Sequence, residues 1–508
     1  MSASVTFPSS QGDPCGSAPA PTPLAEAASP IGGTAFARGP LRTLRLGLCA
    51  LLAAAALSLG LGEASLAQTD LEMMDDEAPA APPAGTGATL FRNVRIFDGR
   101  SAALSAPSDV LVKSNRIERI AATPMAVAAE ADVRVVKADG RVLMPGLIDA
   151  HWHAFMAATS PAVIVTGDPG YLNLLAARQA EATLMRGFTT VRDMGGPVFG
   201  LKRAIDEGVA VGPRIYPSGA MISQTSGHGD HRSRAELPRL IGGPLSYPEV
   251  LGIAAIADSP DEVRLRTREQ LRQGASQIKL IAGGGVNSAY NPLESTQFSE
   301  AEIRAAVEAA EDWGTYVTVH AITPLAIQRA IAAGVKCIEH GQLIDEPTAR
   351  LMADKGIWWS LQPLTYDAAV HARMSPVSQQ KAMKVWAGTD TAYQLAKKYG
   401  IKMAWGADIL FDAGAASRQG EYLAKMVRWY TPAEALRMAT ADNGELMALS
   451  GYINPYPGRL GVVAEGALAD LLLVDGNPLE DLTLVAHPDQ AFLVIMKDGT
   501  IYKDALPK

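Results

Sequence analysis

The chain has 508 residues, a formal net charge of −8, 48% hydrophobic and 19% charged residues. This is a globular composition with room for one large barrel and an accessory domain, or for two to three average domains. The negative balance, with no basic stripe interleaved with aromatics, excludes nucleic acid as the natural partner and leaves small molecules.

Residues 1–67 read as an extension followed by a secretory signal peptide. Met1 to Ala37 is rich in Pro, Ser and Gly. Arg38, Arg42 and Arg45 then precede the apolar run Leu46 to Leu61, and Ser65 and Ala67 supply the small residues of a cleavage site after Ala67. The run is short for a membrane span, so the mature protein is expected to be exported, periplasmic or secreted, with no stable membrane insertion once the signal is cleaved. Residues 68–88, acidic and rich in Ala and Pro, read as a flexible linker. Cys15 and Cys49 precede the cleavage point, which leaves Cys337 alone in the mature chain and no internal disulfide to form.

From Thr89 the pattern changes to short apolar strands: Leu90 to Phe97, Asp109 to Lys113, Arg116 to Ile120 and Val133 to Val136. Asp470 to Val474 and Ala491 to Met496 repeat it near the other end. Residues 89–143 and 459–508 therefore predict one small β-sandwich built from both chain ends. Over 144–458, strand-like runs alternate with amphipathic helical segments such as Ala301 to Trp313 and Pro324 to Ala333. The runs are Leu143 to His153, Thr189 to Asp193, Arg214 to Ser218, Gln277 to Ile281, Tyr316 to His320, Cys337 to His340, Ile357 to Ser360 and Met403 to Asp408. Eight comparable units predict an α/β fold, a closed (β/α)8 TIM barrel, over its rival, a doubly wound open sheet.

Barrel enzymes place their sites at the carboxyl ends of the strands. Here those ends carry His151 and His153, then Lys279, His320, His340 and Asp408. Alternation along a strand points His151 and His153 the same way, as two ligands of one metal would be. Lys279, flanked by Ile278, Leu280 and Ile281, falls inside a buried strand, where burial lowers an ammonium pKa and frees the amine. A free amine can take up carbon dioxide to form a carbamate, whose two oxygens suit a pair of metal ions roughly 3.5–4 Å apart.

Ser223 to Arg234 packs His228, Asp230, His231 and Arg232 into one glycine-containing loop. Either histidine is a candidate to polarise a carbonyl, His228 thereby being catalytic, and Arg232 beside Asp230 is a candidate to hold a substrate carboxylate. The alternative is a solvated turn. Gly283 to Ser288, with Tyr290 and Gln297 beyond, reads as a substrate-facing loop or a plain turn, and Asp193 as a group that orients its neighbours.

His151-Trp152-His153, Lys279, His320, His340 and Asp408, in this order, resemble the binuclear metal branch of the amidohydrolase superfamily over roughly Thr89 to Lys503. Met144 to Asp149, Val191 to Asp193, Gly227 to Asp230 and Ile338 to Gly341 are similar to the branch of imidazolonepropionase-like proteins, Xaa-Pro dipeptidases and ochratoxinase-like amidases. The resemblance implies that His151, His153 and Asp408 hold one metal, and His320 and His340 a second. Carboxylated Lys279 and a hydroxide would lie between them. Zinc suits this donor set, with manganese or cobalt as alternatives. It further implies that Asp408 passes the hydroxide's proton to a departing amine, that the substrates are N-acyl amino acids or dipeptides, ochratoxin A-type amides included, and that the chain forms a homo-oligomer. Cyclic-amide hydrolysis of the imidazolonepropionase type is the alternative, and a catalytically inactive binding barrel the third reading. One departure stands out: many dipeptidase relatives carry a tyrosine two residues after the fifth-strand histidine, where this chain has Ile322, a more apolar wall.

Overall fold

Residues 87–126, 133–237, 243–288 and 290–506 are described by a computed structural model, and all lie in one compact unit, Asp76–Lys508. The leader and all but the last two residues of the linker fall outside the described residues.

The first five strands are β1 (Ala88–Ile96), β2 (Ser108–Lys113), β3 (Arg116–Ala121), β4 (Val133–Lys137) and β5 (Val142–Pro145). The barrel strands and their insertions follow as β6 (Leu147–Trp152), β7 (Phe188–Asp193), β8 (Arg214–Pro217), β9 (Met221–Ser223), β10 (Ala254–Ile256), β11 (Ile278–Ile281), β12 (Val317–Ala321), β13 (Cys337–His340), β14 (Trp358–Ser360) and β15 (Lys402–Ala404). The chain closes with β16 (Leu471–Val474), β17 (Phe492–Lys497) and β18 (Thr500–Asp504).

β1 to β5 and β16 to β18 form one mixed sheet, as expected of an accessory domain drawn from both ends. β1 is bulged between Phe91 and Val94, and β5 runs antiparallel to β16 with Met144 opposite Leu472. Val110, Val112 and Ile117 from one half share a core with Leu471, Leu473, Val494 and Met496 from the other. Leu472, Val474, Phe492 and Ile495 on the opposite face join the main core, so these strands are buried on both sides.

In the barrel, β6, β7 and β8 pair in parallel, as do β11 through β15 in sequence order. Backbone bonds close it: Ala150 N–H donates to Trp405 O at 3.0 Å and Asp408 N–H to His151 O at 2.8 Å. Gly406 makes that approach possible, because a Cβ there would lie 2.5 Å from His151 N. The helices follow sequence logic too. Ser299 and Glu302 form a capping box at the start of Glu300–Glu311, which buries Ile303, Ala306, Val307 and Ala310. Among the described residues no helix is long and apolar enough to cross a membrane.

Two details differ from the sequence reading. Leu143 to His153 is two strands, not one: the chain leaves the mixed sheet after Pro145 and enters the barrel at Leu147. Between them Gly146 packs where a Cβ would meet Thr189 Oγ1 at 2.1 Å. The third barrel strand is also broken. β8 pairs β7, whereas β9, after three intervening residues, pairs β11 and the extra strand β10. A three-residue run carries too little periodicity to be seen in sequence.

Candidate metal centre

His151 ends in the last turn of β6 and His153 just beyond it. Lys279 lies on β11, His320 on β12, His340 at the end of β13, and Asp408 follows β15. The fold brings all six candidate ligands to one end of the barrel, and the described ligand atoms of His151, His340 and Asp408 lie within 4.8 Å of one another. His151 Nε2 is 3.2 Å and His153 Nε2 3.4 Å from Asp408 Oδ1. The imidazole rings continue the cluster: His151 to His340 at 5.0 Å, His340 to His320 at 4.4 Å and His320 to His228 at 4.5 Å between centroids.

Hydrogen bonds fix the tautomers. His151 Nδ1 meets Glu339 Oε2 at 2.8 Å, and His153 Nδ1 meets Gly195 O at 3.0 Å. A carboxylate and a carbonyl only accept, so both Nδ1 atoms carry the proton and both Nε2 lone pairs face inward. His340 Nδ1 donates to Gln362 Oε1 at 2.7 Å, with that amide's orientation set by its Nε2 donating to Ser360 O at 3.0 Å. His320 is reversed: Nε2 donates to Gly284 O at 3.0 Å, leaving Nδ1 free.

Two lone pairs and a carboxylate oxygen thus converge with nothing but acceptors between them. The two histidine-to-carboxylate separations match the roughly 3.3 Å edge of a tetrahedral shell with bonds of about 2.0–2.1 Å. The donor set therefore fits a divalent metal. The same geometry acts on the protonation states. Burial lowers the His151 pKa, but the charge of Asp408 and the hydrogen bonds to Asp408 and Glu339 together outweigh it, and the net shift is upward. With a proton on the Nε2 atoms in place of an ion, burial raises Asp408, yet the charge of His151 and the hydrogen bonds of His151 and His153 hold it well below the usual carboxylate range. Burial, aided by neighbouring His340 and Lys279, holds His320 well below the ordinary imidazole value, and burial pushes His340 down to about 3.

Lys279 is buried, with 2% of its surface exposed. Burial lowers its pKa against the opposing pull of Glu339 and Asp408. The ligand backbones are also unusual: His340 has φ 74° and Asp408 φ 50°, left-handed conformations that non-glycine residues hold only where the surroundings impose them.

Around the ligands lies a layer of which the sequence disclosed only Asp193. Glu339 Oε1 accepts from Arg192 Nη2 at 2.5 Å and from Thr318 Oγ1 at 2.5 Å, and all three residues are fully buried. Asp149 accepts from the backbone N–H of His151 and of Ala407 and from Gln419 Nε2, tying the first strand to the eighth. Asp193 accepts from Ala154 and Gly195 N–H at 2.7 and 3.2 Å, an orienting role, and burial pushes its pKa up to about 7. Lys381, from the helix Pro376–Tyr399, donates to the carbonyls of Gly285, Ser288 and Asn291 and so holds the glycine-rich loop in place.

The polar loop divides. His228 reaches the cluster: its ring lies over Gly285, where a Cβ would be 2.2 Å from the imidazole, and its Nδ1 is buried without a partner. Burial, with His320 adding to it, holds its pKa well below the ordinary value. Asp230 instead takes Arg232 in a fork, with Nε at 2.8 Å and Nη2 at 2.6 Å. The guanidinium expected to meet a substrate carboxylate is thus committed within its own loop. His231 is exposed. Tyr290 is also exposed, with the Arg234 guanidinium 5.4 Å above its ring.

A family model described as the amidohydrolase family matches residues 142–503. Ochratoxinase of Aspergillus niger is 32% identical over 383 residues, covering 71% of this chain and 76% of its own length. Among solved structures, a prolidase complexed with N-methylphosphonate-L-proline matches with a TM-score of 0.75 at 35% identity, covering 82% of this chain and 100% of its own. A Xaa-Pro dipeptidase with methionine bound in its active site matches with a TM-score of 0.71 at 29% identity, with coverage of 82% and 100%.

Proposed function

Because this chain belongs to the amidohydrolase family and is a metal-dependent hydrolase of carbon–nitrogen bonds, we propose that it releases the terminal amino acid from N-acyl amino acids or dipeptides, ochratoxin A-type amides included. What carries this reading is the coincidence of a buried, tautomerically fixed ligand set with likeness to an ochratoxinase and a prolidase over most of the chain.

In this reading His151, His153 and Asp408 would hold one divalent ion and His320 and His340 a second, with Lys279, carboxylated, as a further ligand. Zinc is the metal that the nitrogen and oxygen donors favour. Held by these residues, a metal centre would supply a nucleophile at neutral pH and a Lewis acid for the scissile carbonyl. The chain's own groups do the rest. Asp408, kept ionised by its histidines, takes a proton on its carboxylate and delivers it to the departing amine nitrogen. His228, neutral and buried beside His320, donates an N–H to the carbonyl oxygen as negative charge develops there. Ile322, packed with Leu293 and Val385, gives the neighbouring wall an apolar surface suited to a bulky acyl or amino-acid side chain.

The test is amino-acid release by metal-replete protein across dipeptides, N-acyl amino acids and ochratoxin A, with imidazolonepropionate alongside. Release from at least one linear class supports the proposal. Turnover of imidazolonepropionate with none of the linear amides would replace it with cyclic-amide hydrolysis. The basic and apolar leader makes export the proposed destination, which cell fractionation tests.

A further inference from the structure

The four ligand histidines are not backed alike. His153 and His320 donate to main-chain carbonyls, of Gly195 and Gly284, and His340 donates to the neutral amide oxygen of Gln362. Only His151 donates to an anion, Glu339, at 2.8 Å.

That anion is built in. Glu339 and Arg192 are both completely buried, 2.5 Å apart. Thr318 Oγ1 supplies a further bond at 2.5 Å to the same oxygen, Oε1. The other oxygen, Oε2, is thereby left to His151. Arg192 is itself anchored, with Nε donating to Ala150 O at 2.6 Å and Nη1 to Tyr316 Oη at 3.1 Å. The β12–β13 register, with His320 opposite Glu339, sets the carboxylate on the strand between the two halves of the site. Yet its side chain serves the histidine of β6, across the barrel.

A carboxylate behind a ligand imidazole fixes its orientation and raises its basicity, and losing such a partner typically costs 10–100-fold in metal affinity. A neutral carbonyl fixes the ring with less charge. We propose that the centre is electrostatically asymmetric: Arg192, Glu339 and Thr318 are positioning residues that make the ion at His151, His153 and Asp408 the tightly held one. The ion at His320 and His340 is the exchangeable partner. This rests on the two-ion reading above.

The experiment uses full-length, zinc-replete protein equilibrated against a graded series of chelator strengths, with bound zinc per chain measured by elemental analysis. The expected curve falls from two ions to none in two steps whose midpoints differ by at least about tenfold. Thr318→Val, which removes one bond to Glu339 and leaves the charge pair intact, moves the tighter step alone. Gln362→Leu, which removes the acceptor behind His340 and only a longer 3.4 Å contact with His151 Nδ1, moves the weaker step more than the tighter one. A plateau of one ion would refute the two-ion reading itself and the asymmetry with it. A plateau of two ions lost in a single step would overturn the asymmetry alone. So would Thr318→Val shifting the weaker step, or either variant leaving both midpoints in place.

Discussion

Lys279→Met is predicted to make the metal-free protein more stable while abolishing turnover. Methionine keeps the length of the stem and removes only the amine. That amine sits in a buried strand, and burial lowers its pKa. Taking a polar group out of water costs about 1–3 kcal/mol, and removing it should return about that amount to the metal-free fold. A rise of a few degrees in thermal midpoint is the corresponding shift. The same substitution deletes the proposed bridge, so amino-acid release by zinc-treated protein should fall to background. The assay is a pair of measurements on one preparation, a melting curve after exhaustive chelation and turnover after zinc is restored. A metal-free variant that melts below the parent, or one that keeps full turnover, would refute the reasoning, because each would show that Lys279 serves packing and not the centre.

Acidification should destabilise the metal-free protein. The folded His340 titrates near 3 against an ordinary value of 6.5, so below about 6.5 the unfolded chain takes up a proton that the fold does not. The stability this histidine contributes is complete above that pH and drains away down to about 3, up to about 5 kcal/mol. A thermal midpoint that stays level from pH 7 to 4 after chelation would contradict this. Arg192→Met should cost about 3–5 kcal/mol, because it leaves the Glu339 carboxylate buried and uncompensated; unchanged urea unfolding would show that the pair is not structural. His228→Ala should lower kcat by about 10²–10³ with zinc content unchanged, as for loss of one oxyanion donor. Loss of zinc in that variant would instead make His228 a ligand.

The ligands were legible because each sits at the carboxyl end of a strand whose apolar neighbours announce it, and because His151 and His153 obey the period of two. Their support was not. Glu339 reads locally as one more residue of Cys337 to His340; its partners Arg192 and His151 lie 147 and 188 positions away. Only the strand register and barrel closure bring them together. Gln362 and Lys381 are equally silent in sequence, since neither stands in a motif. The pairing of Arg232 with Asp230 was hidden for a local reason. A guanidinium two residues from a carboxylate can satisfy it within the loop, and polarity alone does not reveal which anion an arginine faces. β9 and β10 were missed through brevity, and the break at Gly146 because an apolar run conceals a change of sheet.

The left-handed backbones of His340 and Asp408 narrow what evolution or engineering can put in their places. Histidine, aspartate and asparagine are the non-glycine residues that enter this region most readily, whereas a bulkier or β-branched replacement pays roughly 1–2 kcal/mol for the conformation before any chemistry begins. A search for altered metal selectivity that exchanges these two ligands for cysteine or glutamate therefore starts from a weakened fold. The same search at His151 or His153, on ordinary extended backbone, does not. Adaptability in this centre is accordingly uneven around the rim, with the freer positions on the first strand and the constrained ones on the sixth and eighth.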